Sequence, residues 1–332
     1  MGHDYEALDY LARYWVARFG AYPVMWTLAQ EIDNDFYYGR GDQTWFNYQN
    51  NPWLKVAESM NKYDDYDHPL TGHQEGADRT SATGAASKTP DRTNGGKSIF
   101  LDADVTERTG HSWWGSQWGI QFTDPKNHFI FGKDYWQTTK PAVIYEGRYC
   151  GLWTKDYGAR AQGWVAYLNG CYGYGYGAID IWNYKSTYSM GHDTDDGRET
   201  VTVKDKQQTW ADAVEFASAY QVGYMRQFLQ KLEWWKLVPD FDAGKAFASN
   251  VDYFYSCAYD GNKTYVIYLF NQDTNSGKLA NMDNSATYTV KWFNPRTNEY
   301  TAIGTNIKPT NSTYTLPAKP DKNDWVILAT KN

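Results

Sequence analysis

Residues 141–149 read Pro-Ala-Val-Ile-Tyr-Glu-Gly-Arg-Tyr, and this stretch decides which fold the rest of the chain favours. The apolar run 142–145 is too short for a helix and predicts a buried strand that ends at Glu146. A carboxylate at the end of a buried strand is either a salt-bridged terminus or a catalytic group at the mouth of an α/β barrel. A second carboxylate in an equivalent place would favour the catalytic interpretation.

The same pattern occurs nearer the N-terminus. Apolar residues at helical spacing predict an amphipathic helix over residues 8–19, and residues 23–28 predict a buried strand. Glu31 follows that strand much as Glu146 ends the other one. Helices that alternate with buried strands are the repeating element of a (β/α)8 barrel. We therefore predict an α/β protein with a TIM-type barrel.

The number of predicted barrel strands is too small for a complete barrel. We expect five, at residues 23–28, 69–73, about 118–122, 142–146 and 178–182. Further helices are predicted at residues 52–63, 159–169 and 210–237. A complete barrel needs eight strands. The expectation is thus an incomplete barrel, from about strand 4 onward, which a second chain or a missing N-terminal segment would complete, unless further strands lie in the long loop at 76–97.

The pattern changes to strands after about residue 250. Hairpins are predicted over 253–270 and 288–303, with a final strand at 325–329. Such a series of antiparallel strands is typical of a small β-sandwich. We predict two domains, the C-terminal portion of a barrel at 1–240 and a β-sandwich at 241–332.

Composition narrows the class of partner. Aromatic residues make up 18% of the chain, which favours a protein that stacks rings on sugars but also fits an aromatic-rich β-sandwich. The net charge of −7 argues against a nucleic-acid partner, which needs a basic surface. No apolar run reaches about 18 residues, so we expect no membrane span. The N-terminus shows no signal peptide.

Neither the cysteines nor the histidines show the spacing of a metal site. The three cysteines are scattered without a C-x-x-C pair, so we expect buried free thiols. His68, His73 and His111 fit no H-E-x-x-H or carboxylate-triad spacing. We predict no catalytic metal.

Several short motifs follow one another in the order found in a known family. They are WTLAQEID at 26–33, HPLTGH at 68–73, YEG at 145–147, YGA at 176–178, IW at 181–182, WWKLVP at 234–239 and WFNPRT at 292–297. In this order the chain resembles the apiosidase-like glycoside hydrolases, glycoside hydrolase family 140 and relatives. The resemblance covers nearly the whole chain. It implies a retaining barrel enzyme that acts on plant cell-wall polysaccharide, needs no cofactor, is secreted or periplasmic, and carries a small β domain after the barrel.

The resemblance also implies catalytic roles. In that family the general acid/base follows the fourth strand and the nucleophile ends the seventh, which matches Glu31 and Glu146 here. The family often has Asp at the first of these positions. Asp33, two residues after Glu31, is the rival acid and otherwise would bind a substrate hydroxyl. Retaining hydrolysis needs its two carboxyl groups about 5–5.5 Å apart.

The remaining candidates would bind the carbohydrate substrate, and they are Trp26, Asp33, His73, Gln121, Tyr149 and Trp182. His73 would contact the substrate or orient Glu31, but a satisfied structural histidine is an equal alternative. Trp182 is either a sugar platform at the end of the last strand or a core residue. One alternative function stays open, an inactive or carbohydrate-binding fragment of such an enzyme.

Overall fold

The computed structural model describes residues 4–30, 52–74, 110, 114–117, 136, 140–151, 156–182, 209–241 and 244–332. The chain divides into two units. Unit 1 consists of Met1–Gly119 and Thr138–Tyr145, and unit 2 of Ile120–Gln137 and Glu146–Asn332. Each unit has a buried apolar core of its own. No helix of the described residues is long and apolar enough to cross a membrane.

The described part of unit 1 contains two helices that pack against each other, α1 (Tyr5–Phe19) and α2 (Pro52–Tyr63). The Asp4 carboxylate begins α1, because it accepts a hydrogen bond from the Ala7 backbone N–H at 3.0 Å. The two helices are also joined by polar contacts. Asp9 of α1 accepts hydrogen bonds from the hydroxyls of Ser59 at 2.7 Å and Tyr63 at 2.6 Å. The prediction of a helix at 52–63 is confirmed, and α1 is longer than its prediction by three residues at its start.

The described strands of unit 1 are short, and two pairs of them are parallel. β1 (Trp26–Thr27) pairs with β2 (Leu70–Thr71), and β3 (His73–Gln74) pairs with β4 (Trp114–Gln117). β5 (Ala142–Glu146) belongs to the same sheet as β3 and β4. The predicted strands at 23–28 and 69–73 are confirmed in place but are shorter. The strand at 142–146 is confirmed, whereas the one expected at about 118–122 lies outside the described residues.

Unit 2 contributes four helices and a short 3-10 helix in its described part. Their bounds are α3 (Asp156–Leu168), α4 (Ile179–Trp182), α5 (Trp210–Ala213), α6 (Ala217–Gln230) and the 3-10 helix Trp234–Lys236. The prediction of one continuous helix over 210–237 is wrong. Thr209 and Asp212 form a capping box on α5. A new helix begins after Phe216, where the Asp156 carboxylate accepts a hydrogen bond from the Ser218 N–H at 2.7 Å.

The strand expected at 178–182 is also absent, and this prediction is wrong. Only Ala178 makes a strand-like bridge, parallel to Cys150. The backbone N–H groups of Ile181 and Trp182 turn back to the carbonyl of Ala178 at 3.2 and 3.0 Å. Their hydrogen bonds are therefore made within a helical turn, and Trp182 lies on α4 rather than at the end of a strand.

The C-terminal part of unit 2 consists of two antiparallel sheets. One has the strand order β13-β12-β15-β10-β9-β7 and the other β14-β11-β8. Strand β6 (Gly173–Tyr174) comes earlier in the chain and belongs to neither of these sheets. The strands of the two sheets are β7 (Val238–Pro239), β8 (Phe247–Ser249), β9 (Tyr255–Asp260), β10 (Thr264–Leu269), β11 (Gly277–Leu279), β12 (Tyr288–Asn294), β13 (Glu299–Ile307), β14 (Tyr314–Thr315) and β15 (Trp325–Lys331). Both predicted hairpins and the final strand are confirmed, with β13 and β15 longer than expected.

Strand β10 is buried on both of its faces. Tyr265, Ile267 and Leu269 share one core cluster with residues of the three-stranded sheet. Side chains alternate along a strand, so Tyr268 points to the opposite face. There its ring stacks on Trp164 of α3, with centroids 5.8 Å apart. The six-stranded sheet is therefore covered by sheet on one side and by helix on the other.

A buried ion pair joins α3 to the same sheet. Arg160 donates from Nε to Asp324 Oδ2 and from Nη2 to Asp324 Oδ1, both at 2.8 Å. Tyr268 Oη donates to Asp324 Oδ2 at 2.9 Å. Burial alone would raise the pKa of the Asp324 carboxyl, but the Arg160 charge and these hydrogen bonds bring that pKa well below its usual range. Asp324 is thus held ionised inside unit 2.

Candidate active site

Glu146 and Tyr149 form the centre of the candidate site. Glu146 ends strand β5 and its side chain is half-buried, while Tyr149 is buried three residues further on. The Tyr149 hydroxyl donates a hydrogen bond to Glu146 Oε1. A donor aimed at one oxygen favours the ionised carboxylate and fixes its orientation. Glu146 is therefore held as a directed carboxylate.

The chain that follows Glu146 is anchored by a buried glutamine. Gln162 of α3 has no exposed surface. Its Oε1 accepts a hydrogen bond from the Arg148 backbone N–H at 2.9 Å and a longer one from Tyr174 Oη at 3.3 Å. The backbone of the segment between Glu146 and Tyr149 is consequently tied to helix α3.

An exposed tryptophan lies beside this pair. Trp182 on α4 is 55% exposed, and its ring centroid is 5.9 Å from that of Tyr149 with an angle of 31° between the planes. The alternative that Trp182 is a core residue is wrong. An exposed ring next to a directed carboxylate is a surface on which the apolar face of a sugar could stack.

His73 lies in the interior of unit 1. Its side chain is 2% exposed, its backbone N–H donates to the Ala29 carbonyl at 3.1 Å, and its ring is 5.0 Å from that of Tyr145. Burial lowers the pKa of His73 to about 4. The imidazole is therefore neutral at neutral pH and can hydrogen-bond without carrying charge.

This buried histidine makes unit 1 sensitive to acid. Between pH 6.5 and about 4 the unfolded chain binds a proton at this position and the folded chain does not, so stability falls as the pH falls. The full effect is about 3 kcal/mol, since one pKa unit corresponds to about 1.4 kcal/mol. We expect the melting temperature of His73→Asn to depend less on pH than that of the wild type between pH 7 and 4.5. Equal pH slopes in thermal melts of the two proteins would contradict this.

Trp26 lies in the core of unit 1 rather than at its surface. Its ring is 8% exposed, and its indole N–H donates to Asp64 Oδ2 at 2.7 Å. Burial raises the pKa of the Asp64 carboxyl, whereas hydrogen bonds from His68 and Trp26 lower it. The net result is a lowered pKa. The substrate-binding role of Trp26 stays a prediction, and the contacts described here are structural ones.

The other predicted site residues, Glu31, Asp33 and Gln121, lie outside the described residues. Among the described residues, no group of three His, Cys, Asp or Glu side chains is placed to hold a metal ion. The three cysteines are buried and form no disulfide with one another.

Two residues near the site were not singled out from the sequence. Gln162 could have been found, because it is a polar side chain in the middle of a run of small and apolar helical residues. Asp180 on α4 is buried. This burial raises the pKa of its carboxyl, and the negative charge of Asp212 raises it further. Its sequence neighbours resemble a strand, so nothing in the pattern marked it.

Family comparisons place most of the chain in one kind of enzyme. Residues 2–236 match the family model described as "Apiosidase-like, catalytic domain". Residues 245–330 match a model described as a "collagen-binding domain of a collagenase". The curated proteins that were searched gave no match.

Solved glycoside hydrolases share the fold. A glycoside hydrolase family 5 protein from Bacteroides vulgatus has a TM-score of 0.66 at 16% identity, covering 98% of this chain and 66% of that one. A second structure, described as a glycoside hydrolase, has a TM-score of 0.65 at 15% identity, covering 98% of this chain and 69% of that one. The chain thus spans about two thirds of the length of these structures, with a glycoside-hydrolase-like fold followed by antiparallel sheets.

Proposed function

Because the chain belongs to the apiosidase-like catalytic domain family, we propose that it is a retaining glycoside hydrolase. Its substrates would be side chains or oligosaccharides of plant cell-wall polysaccharide. The observation that carries this proposal is the Glu146 carboxylate, directed by the Tyr149 hydroxyl, beside the exposed ring of Trp182. The family and the related folds support hydrolysis of glycans in general.

We assign Glu146 as the nucleophile and Glu31 as the acid/base. A carboxylate oxygen of Glu146, oriented by the Tyr149 hydroxyl, forms a bond to the anomeric carbon as the glycosidic C–O bond breaks. Glu31 gives its proton to the departing oxygen, then takes one from water. The resulting hydroxyl binds the anomeric carbon and releases Glu146. Asp33, His73 and Gln121 are proposed to bind substrate hydroxyls.

We further propose a barrel followed by a β-sandwich, with the boundary near residue 240. The parallel pairs β1–β2 and β3–β4 and the alternation of strands with helices support the barrel. The two sheets that share one core support the sandwich. A polymeric substrate does not cross membranes, so we propose action outside the cytoplasm, as a secreted or periplasmic protein.

The proposed function is tested by hydrolysis followed in real time. Aryl glycosides and cell-wall oligosaccharides are incubated with the chain, and proton NMR records the anomeric configuration of the first sugar released. We expect retention of configuration, because two displacements each invert it. Inversion would exclude the double displacement. Binding by calorimetry without any turnover would favour the alternative, a carbohydrate-binding or inactive fragment.

We expect Trp182→Ala to weaken substrate binding more than turnover. Loss of an exposed stacking ring should raise KM about tenfold, equivalent to about 1.4 kcal/mol, with kcat changed less than about twofold. Trp235→Ala is the matched control, since Trp235 is also exposed but lies on the 3-10 helix. Steady-state kinetics of both variants give the comparison. An unchanged KM in Trp182→Ala would remove Trp182 from the binding site.

Unit 1 has an apolar surface that further polypeptide would cover. A groove of about 690 Å³ is lined by α1, α2 and β1, with exposed Leu11, Trp15 and Met25 at or near it. In the described residues β1 pairs only with β2. We propose that a segment supplying parallel strands, from a second chain or from the same one, pairs with the other edge of β1 and fills this groove.

This arrangement predicts a specific association. A separate polypeptide that carries parallel β/α units of a related barrel should bind the chain at a one-to-one ratio. Leu11→Lys should abolish the complex, because a charge would be buried in the groove. Val214→Lys, which changes an exposed apolar residue of unit 2, should leave it intact. Equal association of both variants would contradict the proposed surface.

A further inference from the structure

The Tyr-Gly alternation at residues 172–177 lies directly beside the chain that carries Glu146. Gly147 N–H donates to the Gly175 carbonyl at 2.8 Å, and Cys150 N–H donates to the Gly177 carbonyl at 2.9 Å. Two hydrogen bonds thus fix the backbone on either side of Arg148 and Tyr149. The alternation is not a phosphate-binding loop, because it lacks the G-K-[ST] that such loops require.

Gly177 makes the closest approach to the candidate site. A Cβ at this position would lie 2.5 Å from Cδ1 and 2.7 Å from Cε1 of the Tyr149 ring. Contacts this short are not tolerated, so any side chain at residue 177 would displace the ring. The buried ring of Tyr149 therefore rests on the bare backbone of Gly177.

A second glycine fixes the other end of the same segment. A Cβ at Gly147 would lie 2.6 Å from Tyr174 Oη and 2.8 Å from the Gly175 carbonyl oxygen. Tyr174 is in turn hydrogen-bonded to Gln162 of α3. The segment from Glu146 to Tyr149 is thus enclosed between the Tyr-Gly alternation and the buried glutamine.

We propose that Gly177 is a positioning residue for Glu146: its missing side chain seats the Tyr149 ring so that the Tyr149 hydroxyl meets Glu146 Oε1. This role rests on the proposed function, in which Glu146 is the nucleophile. Gly177 itself touches neither substrate nor reacting atoms. It acts through Tyr149, and the Tyr-Gly alternation is the element that shapes the nucleophile's surroundings.

The test compares Gly177→Ala, Tyr149→Phe and the double variant. Each single change should lower kcat/KM roughly 10- to 100-fold, the effect of a hydrogen bond to a charged group. If Gly177 acts through the Tyr149 hydroxyl, the double variant should lose no more than the larger single loss. Additive losses would overturn the proposal. Gly223→Ala on α6, where a Cβ would contact nothing within 4 Å, is the matched control and should keep full activity.

A second measurement does not depend on turnover. The pKa of the Glu146 carboxyl is followed by carbon NMR, with the signal assigned by its loss in Glu146→Gln. Both Gly177→Ala and Tyr149→Phe should raise it, because the ionised form loses a hydrogen bond. An unchanged value in Gly177→Ala would overturn the positioning role. If the wild type hydrolyses no glycoside but these shifts occur, the proposed function fails and the positioning role stands.

A folding defect in Gly177→Ala is separated from loss of positioning by a compensating change. Tyr149→Ala removes every ring atom that a Cβ at residue 177 would meet. If Gly177→Ala unfolds because of that ring, the double variant Tyr149→Ala/Gly177→Ala should recover the melting temperature of Tyr149→Ala. Failure to recover it would show that Gly177 is needed for another reason and would overturn the proposal.

Discussion

Glu146→Gln will lower kcat/KM for an aryl glycoside by roughly a thousandfold or more. The amide is nearly the same size as the carboxylate and can still accept the Tyr149 hydrogen bond, so the fold should be retained. It carries no charge, however, and cannot form the covalent bond to the anomeric carbon. The measurement is initial-rate kinetics together with a thermal melt of each protein.

Two controls make this result specific to Glu146. Glu299→Gln removes the same charge from an exposed position on β13 and should keep full activity. Glu146→Ala in the presence of azide should regain turnover, because the small anion enters the vacated space and attacks the anomeric carbon from the same side. Activity that survives Glu146→Gln would remove Glu146 as the nucleophile.

Asp324→Asn will lower the free energy of unfolding of unit 2 by about 3–5 kcal/mol. The substitution keeps the shape of the side chain but leaves the buried charge of Arg160 without its counter-ion. Burial of an unpaired charge is the main cost, since water cannot reach it. Urea denaturation followed by far-UV circular dichroism measures the change.

The matched control is a surface ion pair, and acid gives an independent check. Lys236→Ala breaks the exposed pair with Glu233 and should change stability little. Because the folded pKa of Asp324 is lowered, its contribution is present above about pH 4 and is lost as the pH falls toward the folded value. Asp324→Asn should lack this part of the acid destabilisation. A loss below about 1 kcal/mol at pH 7 would show that the pair stabilises little.

Predictions from sequence succeeded where the pattern itself contained the cause. The apolar run before Glu146 predicted β5 to the residue, because a strand buried by its neighbours needs apolar side chains on both faces. Pro52 marked the start of α2 in the same direct way. In the candidate site, Tyr149 was singled out as a substrate-binding residue, and that role stays a prediction; the structure shows its hydroxyl donating to Glu146.

Predictions failed where distant residues determined the outcome. Residues 178–182 are apolar enough for a strand, but the carbonyl of Ala178 takes the hydrogen bonds of a helical turn. The helix expected over 210–237 is interrupted where Asp156, far along the chain, begins a new one. Gln162 and Gly177 contact the site from other elements, so their roles depend on packing that no local pattern contains.

The burial of β10 on both faces has a consequence for how unit 2 opens. Backbone amides exchange with solvent only when their strand is released, and β10 lies between β9 and β15 with a sheet on one face and α3 on the other. Its amides should exchange slowest, at the rate of global unfolding. The C-terminal sheets and helix α3 then open together. A cut near residue 240 would therefore expose the Trp164 and Tyr268 rings rather than release a self-sufficient module.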